Sequence, residues 1–326
     1  MKSIRLDKNE MPYSPPQRVV KAAKEGTKDL NRYSSAERAE KLRELLSNYS
    51  NVPKERIIFG PGSDLLLQEI IRVFSPARRI ITVSPSFFPT VDAAKKYGKE
   101  LIRIRLSPPE FDLDLDSLLD KLEGPSLVVI DNPNNPTGKL LVEKEDALKI
   151  LKSTNTLLVV DEAYYEFSGV TFSSLLEEYP NLAVTRTLDK AFSLAGARLG
   201  YLIAGKDFLE SLAPSGTYFP KPSLLAGIEA LKDTEYAETN VNLIMEEKKR
   251  VKARLTDIGI QARPTSTNFL LFNTELPDMV RKLRKKGIFV KDLSHRWLSG
   301  YIRVTVGKPE ENDIFLTEIR DSVRSD

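Results

Sequence analysis

The sequence predicts an α/β protein: a mostly parallel, seven-stranded sheet in a large domain, doubly wound with helices, followed by a smaller α+β domain. Three observations predict it. Short runs rich in Val, Ile and Leu alternate with stretches of helical period, the pattern of successive βαβ crossovers. Those runs are almost continuously apolar, as strands covered on both faces must be. After about residue 215 the alternation gives way to one long amphipathic helix and a few short strands. Residues 1–28 then read as an N-terminal arm joining the smaller unit, 29–232 as the large domain and 233–326 as the small C-terminal domain.

The elements come in order along the chain. Ser34-Ser35-Ala36-Glu37 has the spacing of a capping box and opens a helix in which Ala39, Leu42, Leu45, Leu46 and Tyr49 share a face. Ile57–Phe59 is a short strand that passes through Gly60-Pro61-Gly62-Ser63 into a helix carrying Leu66, Leu67, Ile70, Ile71 and Phe74. Six more strands are expected at Ile80–Val83, Leu101–Ile104, Leu127–Ile130, Leu157–Val160, Leu182–Thr185 and Tyr201–Ala204. Asp112-Leu113-Asp114-Leu115-Asp116 has the look of an acidic metal loop, but Ser117 stands where the glycine of such a loop is needed, so Asp116 is expected to cap a helix Ser117–Leu122. The long helix runs from about Asp233 to Ile258, with Val241, Ile244, Val251 and Leu255 facing the core and Glu246–Arg250 on a solvated face. Strand Asn268–Phe272, a helix near Pro277–Lys286, and strands Ile288–Val290 and Tyr301–Val306 complete the smaller unit.

Composition removes most ways of doing chemistry. There are 49 Lys+Arg against 46 Asp+Glu, no cysteine, and one histidine, His295. Without cysteine there is no disulfide, thiolate nucleophile or Cys/His zinc site. A Ser-His-Asp triad would depend on His295, and no G-x-S-x-G elbow accompanies it. Acid–base work falls to Lys, Tyr, Asp/Glu or a cofactor. The near-balanced charge of +3 speaks against a nucleic-acid partner. No apolar run approaches a membrane span and the start lacks the apolar stretch of a secretory signal, so a cytoplasmic protein is expected.

In open α/β sheets the ligand sits at the carboxyl ends of the strands. The segment immediately after each strand is therefore informative. After Phe59 comes Gly60-Pro61-Gly62-Ser63-Asp64; after Ile130, Asp131 through Gly138; after Val160, Asp161-Glu162-Ala163-Tyr164; after Thr185, Arg186 to Lys190 and then Arg198. Each segment alone could be a turn, a helix cap or a solvated charge. Together they place an Asn, an Asp, a Tyr, a Lys and an Arg, in order, along one edge of one sheet.

This series resembles the fold-type I pyridoxal-phosphate (PLP) aminotransferases, specifically the histidinol-phosphate aminotransferase group. The resemblance runs from Leu6–Glu10 and Asn31-Arg32-Tyr33, through Asn135-Pro136-Thr137-Gly138, Asp161–Tyr164 and Lys190-x7-Arg198, to Tyr301–Gly307. It implies the PLP-transferase fold of type I, pyridoxal 5′-phosphate as cofactor and no metal. Transamination of histidinol phosphate with 2-oxoglutarate is the implied reaction. Another amino-acid aminotransferase, a threonine-phosphate-type decarboxylase of the same fold and a non-catalytic regulator are the alternatives. The resemblance makes Lys190, Asp161 and Tyr164 catalytic. Lys190 would supply the amine that carries the cofactor. Asp161 would pair with the pyridine nitrogen, Asn135 and Tyr164 with the phenolic oxygen, and Phe87 would stack on the ring. Gly62, Ser63, Asp64, Thr187 and Arg198 would hold the phosphate. Tyr33 would reach the phosphate of a neighbouring subunit, which implies a homodimer with shared sites. Arg303, Lys291 and Asn135 would bind substrate. Three residues depart from the family pattern: Asp189, where Ser or Thr is usual; Lys291, where Arg is usual; and Met11, where Asn or an aromatic is frequent. A carboxylate at 189 beside a phosphate must turn away or pair with Arg198 or Arg186. His295, in a loop between Lys291 and Arg303, is expected to be dispensable.

Overall fold

The computed structural model describes residues 3–212, 219–274, 276, 278–294 and 298–324. The chain opens with strand β1 (Ile4–Leu6) and helices α1 (Gln17–Glu25) and α2 (Ala36–Ser50). It then alternates through β2 (Ile57–Gly60), α3 (Ser63–Phe74), β3 (Arg79–Ser84), α4 (Phe88–Tyr97), β4 (Leu101–Arg105), α5 (Leu115–Leu119), β5 (Ser126–Asp131), α6 (Lys144–Leu151), β6 (Thr156–Asp161), α7 (Tyr165–Ser168), β7 (Leu182–Thr187) and β8 (Gly200–Ala204). Helices α8 (Lys206–Leu212), α9 (Lys221–Leu231) and α10 (Thr234–Asp257) lead to β9 (Phe269–Asn273), α11 (Met279–Lys285), β10 (Ile288–Asp292), β11 (Tyr301–Thr305) and α12 (Pro309–Arg324).

Strands β2 to β8 form one seven-stranded sheet in the order β2-β8-β7-β6-β5-β3-β4. All neighbours are parallel except β8, which runs against both β2 and β7. Side chains alternate between two cores, as a period of two requires. Val128, Ile130, Leu158 and Val160 enter a core covered by α2, α6 and α9, through Leu42, Leu46, Ile150 and Leu224. Leu127, Val129, Val159 and Ala183 enter the opposite core, covered by α3, α4 and α8, through Leu67, Ile70, Ala94 and Phe208. Both faces are dry, which is why the strands read as unbroken apolar runs.

The second sheet has the order β1-β10-β11-β9, with β1 parallel to β10. One face packs on α10 and α12 through Leu270, Phe272, Ile302, Val304, Val251, Leu255 and Phe315. Phe269, Leu271 and Tyr301 turn the other way and join the large core. Phe269 meets Tyr164 edge-on with ring centroids 5.5 Å apart, and Tyr301 meets Phe111 at 5.6 Å. The two sheets thus share a seam of aromatic side chains.

Two helix starts differ from expectation. The cap of α2 is Ser35, whose side chain accepts from Arg38 N; Ser34 instead donates its hydroxyl to Phe219 O at 3.0 Å. This shift puts Arg38, not Glu37, three residues beyond the cap, so no reciprocal box forms. The first acidic cap is Asp114, which accepts from Ser117 N at 2.9 Å, and α5 begins two residues before the expected Ser117. Among the described residues no cluster of His, Cys, Asp and Glu is grouped to hold a metal, and no helix is long and apolar enough to cross a membrane.

Candidate active site

A cavity of about 580 Å³ opens where the carboxyl ends of the parallel strands face the small sheet. Strand direction explains its lining. The segments after β3, β5, β6 and β7 deliver Phe87, Asn135, Tyr164 and Lys190. The same holds for β2, which runs parallel to β7 and leads into Ser63 and Asp64. Strand β8 runs the other way, so a residue just before it, Arg198, reaches this edge. The small sheet contributes Lys291 from β10 and Arg303 from β11, and the segment after β1 adds Asp7, Lys8 and Asn9.

Asp161 ends β6, is 5% exposed, and accepts from Thr185 Oγ1 at 2.9 Å. Burial pushes its carboxyl up to about 7, and nearby Asp131 and Asp64 push the same way. Asp131 is raised by burial as well, although Asn135 N (2.6 Å), Ser86 Oγ (2.7 Å) and Asn134 Nδ2 (3.1 Å) donate to it. Lys190 is half-buried in the cavity wall, and desolvation lowers its ammonium below the ordinary lysine range, against an opposing pull from Asp189. Such an amine is more readily neutral, hence more nucleophilic. Tyr164 caps α7; burial raises its phenol to about 12, so it stays protonated.

The anion end is built on backbone geometry. Gly62 precedes α3 at φ 92°, and a Cβ there would strike the Arg198 guanidinium. A Cβ on Gly200 would strike the backbone of Gly62 and Ser63, so glycine is what lets this turn lie against β8. Ser63 and Asp64 begin a twelve-residue helix, whose first N–H groups favour an anion. Arg198 has φ 53°, a left-handed conformation costing of order 1–2 kcal/mol for a side chain of this kind. Its guanidinium is held by ion pairs to Asp64 and Asp189. Asp189 thus pairs with Arg198. Arg186 is engaged elsewhere, in a fully buried ion pair with Glu162 at 2.8 Å and stacked 3.7 Å over the Tyr165 ring.

The expected residues Ser63, Asp64, Phe87, Asn135, Asp161, Tyr164, Thr187, Lys190, Arg198, Lys291 and Arg303 all line this one cavity. Gly62 is not part of the lining but shapes the turn beside it. Tyr33 is the exception: it lies off the cavity of its own chain and is 78% exposed. His295 falls outside the described residues. Met11, 9% exposed, packs in the large core rather than lining the cavity.

Sequence reasoning missed Asn9 as a site residue. It is buried, with φ 55°, donates from Nδ2 to the Tyr164 hydroxyl at 2.7 Å and is fixed by Thr305. It also missed that Arg303 donates to Asn135 Oδ1 (2.6 Å) and to the carbonyl of Asp7 (2.7 Å), tying both sheets and the N-terminal segment together at the cavity.

Comparison with known proteins agrees with this architecture. Residues 2–319 match the family model for aminotransferase class I and II. The chain is 33% identical over 329 residues to the histidinol-phosphate aminotransferase of Sulfurisphaera tokodaii, covering 99% of this chain and 91% of that protein. It is 36% identical over 327 residues to that of Thermococcus gammatolerans, covering 98% and 91%. Among solved structures, the histidinol-phosphate aminotransferase from Sinorhizobium meliloti in complex with pyridoxal-5′-phosphate superposes with a TM-score of 0.89 at 25% identity, covering 99% of this chain and 91% of that one.

Proposed function

The chain belongs to the class I and II aminotransferases, and from that premise we propose that it is a PLP-dependent histidinol-phosphate aminotransferase. In this reading histidinol phosphate gives its amino group to 2-oxoglutarate, yielding imidazole acetol phosphate and glutamate. The observation that carries the reading is the convergence of one depressed lysine, one buried aspartate and an arginine-backed helix start on a single cavity.

The cavity suits the cofactor. Asp161 is a desolvated carboxylate acted on by Thr185 and by other acids, so a cationic N–H opposite it would relieve its raised pKa. The Gly62–Ser63 turn, the α3 N-terminus, Thr187 and Arg198 would hold the phosphate. Phe87 would cover the ring, and Asn135 and Tyr164 would hydrogen-bond its oxygen. When bound, the cofactor supplies an aldehyde that accepts amines and a ring that withdraws electrons from the neighbouring carbon.

The chain's own residues do the rest. Lys190 would hold the cofactor and, when its amine is free, would move the proton at the substrate Cα, a task suited to an amine whose pKa burial has lowered. Asn9 positions the Tyr164 hydroxyl, and Arg303, fixed by Asn135 and Asp7, grips the substrate anion. Lys291, facing Arg303 across the β10–β11 pair, adds positive charge. The reading carries a cytoplasmic location and a homodimer in which Tyr33 serves the neighbouring subunit's site, which its place outside the lining of its own chain's cavity and its exposure support.

The test is a donor panel with 2-oxoglutarate as acceptor. Glutamate formation driven by histidinol phosphate, dependent on added pyridoxal phosphate and lost in Lys190→Ala, is the expected result. Turnover with aromatic or dicarboxylic donors while histidinol phosphate stays inert overturns the substrate, and CO₂ release without glutamate overturns the reaction.

A further inference from the structure

Helix α10 passes from one core to the other. Ala237, Val241 and Ile244 pack in the large core, whereas Val251 and Leu255 pack in the small one. Lys248 lies at the changeover and is 7% exposed. Its ammonium donates to the carbonyls of Thr265 and Thr267 at 2.7 and 2.6 Å, and no ion pair joins it among the described residues. Burial lowers the ammonium to about 8, and Lys252 of the same helix pushes the same way. Glu247, its neighbour in the chain, is occupied by Arg250 and Asn312. A methionine would fill similar space without the cost of burying a charge, so what the ammonium adds is its hold on two carbonyls.

The segment it grips leads to two cavity residues by two routes. Between the two carbonyls, Ser266 N donates to Gly138 O at 2.7 Å, and Thr265 lies so close to Gly138 that a Cβ there would strike it. Gly138 closes the turn that holds Asn135: its N–H donates to Asn134 O at 2.7 Å, and Asn135 N donates to Asp131. Past the second carbonyl, Asn268 donates from Nδ2 to Asn9 O at 3.1 Å, and Asn9 donates to the Tyr164 hydroxyl. One ammonium therefore stands behind Asn135 by the first route and behind Tyr164 by the second. These are the two residues proposed to hydrogen-bond the same cofactor oxygen.

We infer that Lys248 is a positioning residue for amino transfer: from outside the cavity it fixes segment 265–268 and thereby sets Asn135 and the Asn9–Tyr164 pair together. The inference rests on the aminotransferase reading and adds to it a residue of α10. Thr267, Asn268 and Asn9 are each 2% exposed or less, and a close-packed interior passes a displacement on rather than absorbing it. Rates respond to displacements of about 1 Å at the reacting groups even when the cause lies far from them.

The experiment compares PLP-loaded wild type, Lys248→Met and Lys248→Arg. Hydrogen exchange is mapped by mass spectrometry, and the visible band of the bound cofactor is titrated with pH. Conversion of that band by saturating glutamate or histidinol phosphate is followed in a single turnover. In Lys248→Met, exchange should rise about fivefold in peptides spanning 4–11, 132–139 and 262–270 and stay unchanged in α3 and α4. The midpoint of the band's titration should move up by about 0.5 to 1 in pH, because donors to the cofactor oxygen favour its ionised form. Conversion at saturation should slow about tenfold. Lys248→Arg, whose charged fork keeps donors for both carbonyls, should recover most of each change. A lower Tm with unchanged band and rate, exchange that rises evenly along the chain, or the same losses in Lys248→Arg, overturns the inference. A wild type that binds pyridoxal phosphate but is converted by no amino donor overturns the functional reading instead. The exchange map and the band then judge Lys248 by themselves.

Discussion

Asp189 sits where a carboxylate and a phosphate would compete for one arginine. A carboxylate beside a phosphate had either to turn away or to pair with Arg198 or Arg186, and the partner is Arg198. A like-charge repulsion costs about 4 kcal/mol at 4 Å in an effective dielectric of about 20. A partly exposed ion pair contributes about 1 kcal/mol or less. Repulsion therefore outweighs the anchoring Asp189 provides, since Asp64 still holds the other guanidinium nitrogen. Asp189→Asn should bind pyridoxal phosphate more tightly than wild type, on the order of a hundredfold for a net of about 3 kcal/mol, when the apoprotein is titrated by absorbance; weaker binding would mean that Arg198 needs both carboxylates to hold its left-handed backbone. Residues of this kind were legible because their neighbours in sequence are their neighbours in the site. Asn9 was not: its partner Tyr164 is 155 residues away, and only the folded chain brings them together.

At the level of elements, the strands of the large sheet were legible because burial on both faces leaves an unbroken apolar run that ends abruptly in polar residues. The direction of β8 was not, since an apolar run carries no arrow. Its reversal is what brings Arg198 to the same edge as Lys190. The caps slipped by one or two residues because Ser34 and Ser35, or Asp114 and Asp116, are equivalent by composition, and only the first turn's geometry chooses between them. Behind the site, the Glu162–Arg186 pair crosslinks the ends of β6 and β7, the strands that carry Asp161 and Thr187. Glu166 of α7 lies beside this pair and accepts from the Tyr49 hydroxyl at 3.0 Å. Burial lifts its carboxyl to about 7, from an ordinary value of about 4.3. Between those values the folded chain keeps a proton that the unfolded chain has lost. The stabilisation is full below about pH 4.3 and declines as pH rises through about 7. Glu166→Gln should therefore lose less Tm than wild type between about pH 5 and about pH 8. An equal or larger loss would mean that Glu166 is ionised throughout.

The whole molecule is two sheets closed on one cavity. The large sheet presents the residues proposed for the cofactor, and the small sheet presents the cations proposed for substrate. The division into two sheets could be read from the change of pattern near residue 215. The pairing of β1 with β10 could not, because three residues carry too little periodicity to name a partner. In the proposed homodimer a second copy would cover Tyr33, which is 78% exposed. Sedimentation equilibrium should give twice the chain mass, and a monomer at micromolar concentration would contradict a shared site. The account as a whole stands on Lys190. The direct measurement is borohydride reduction of the protein loaded with pyridoxal phosphate, followed by mass mapping of its peptides. Cofactor mass fixed on the peptide carrying Lys190 is the predicted result, and no fixed mass, or mass on a different lysine, would contradict it.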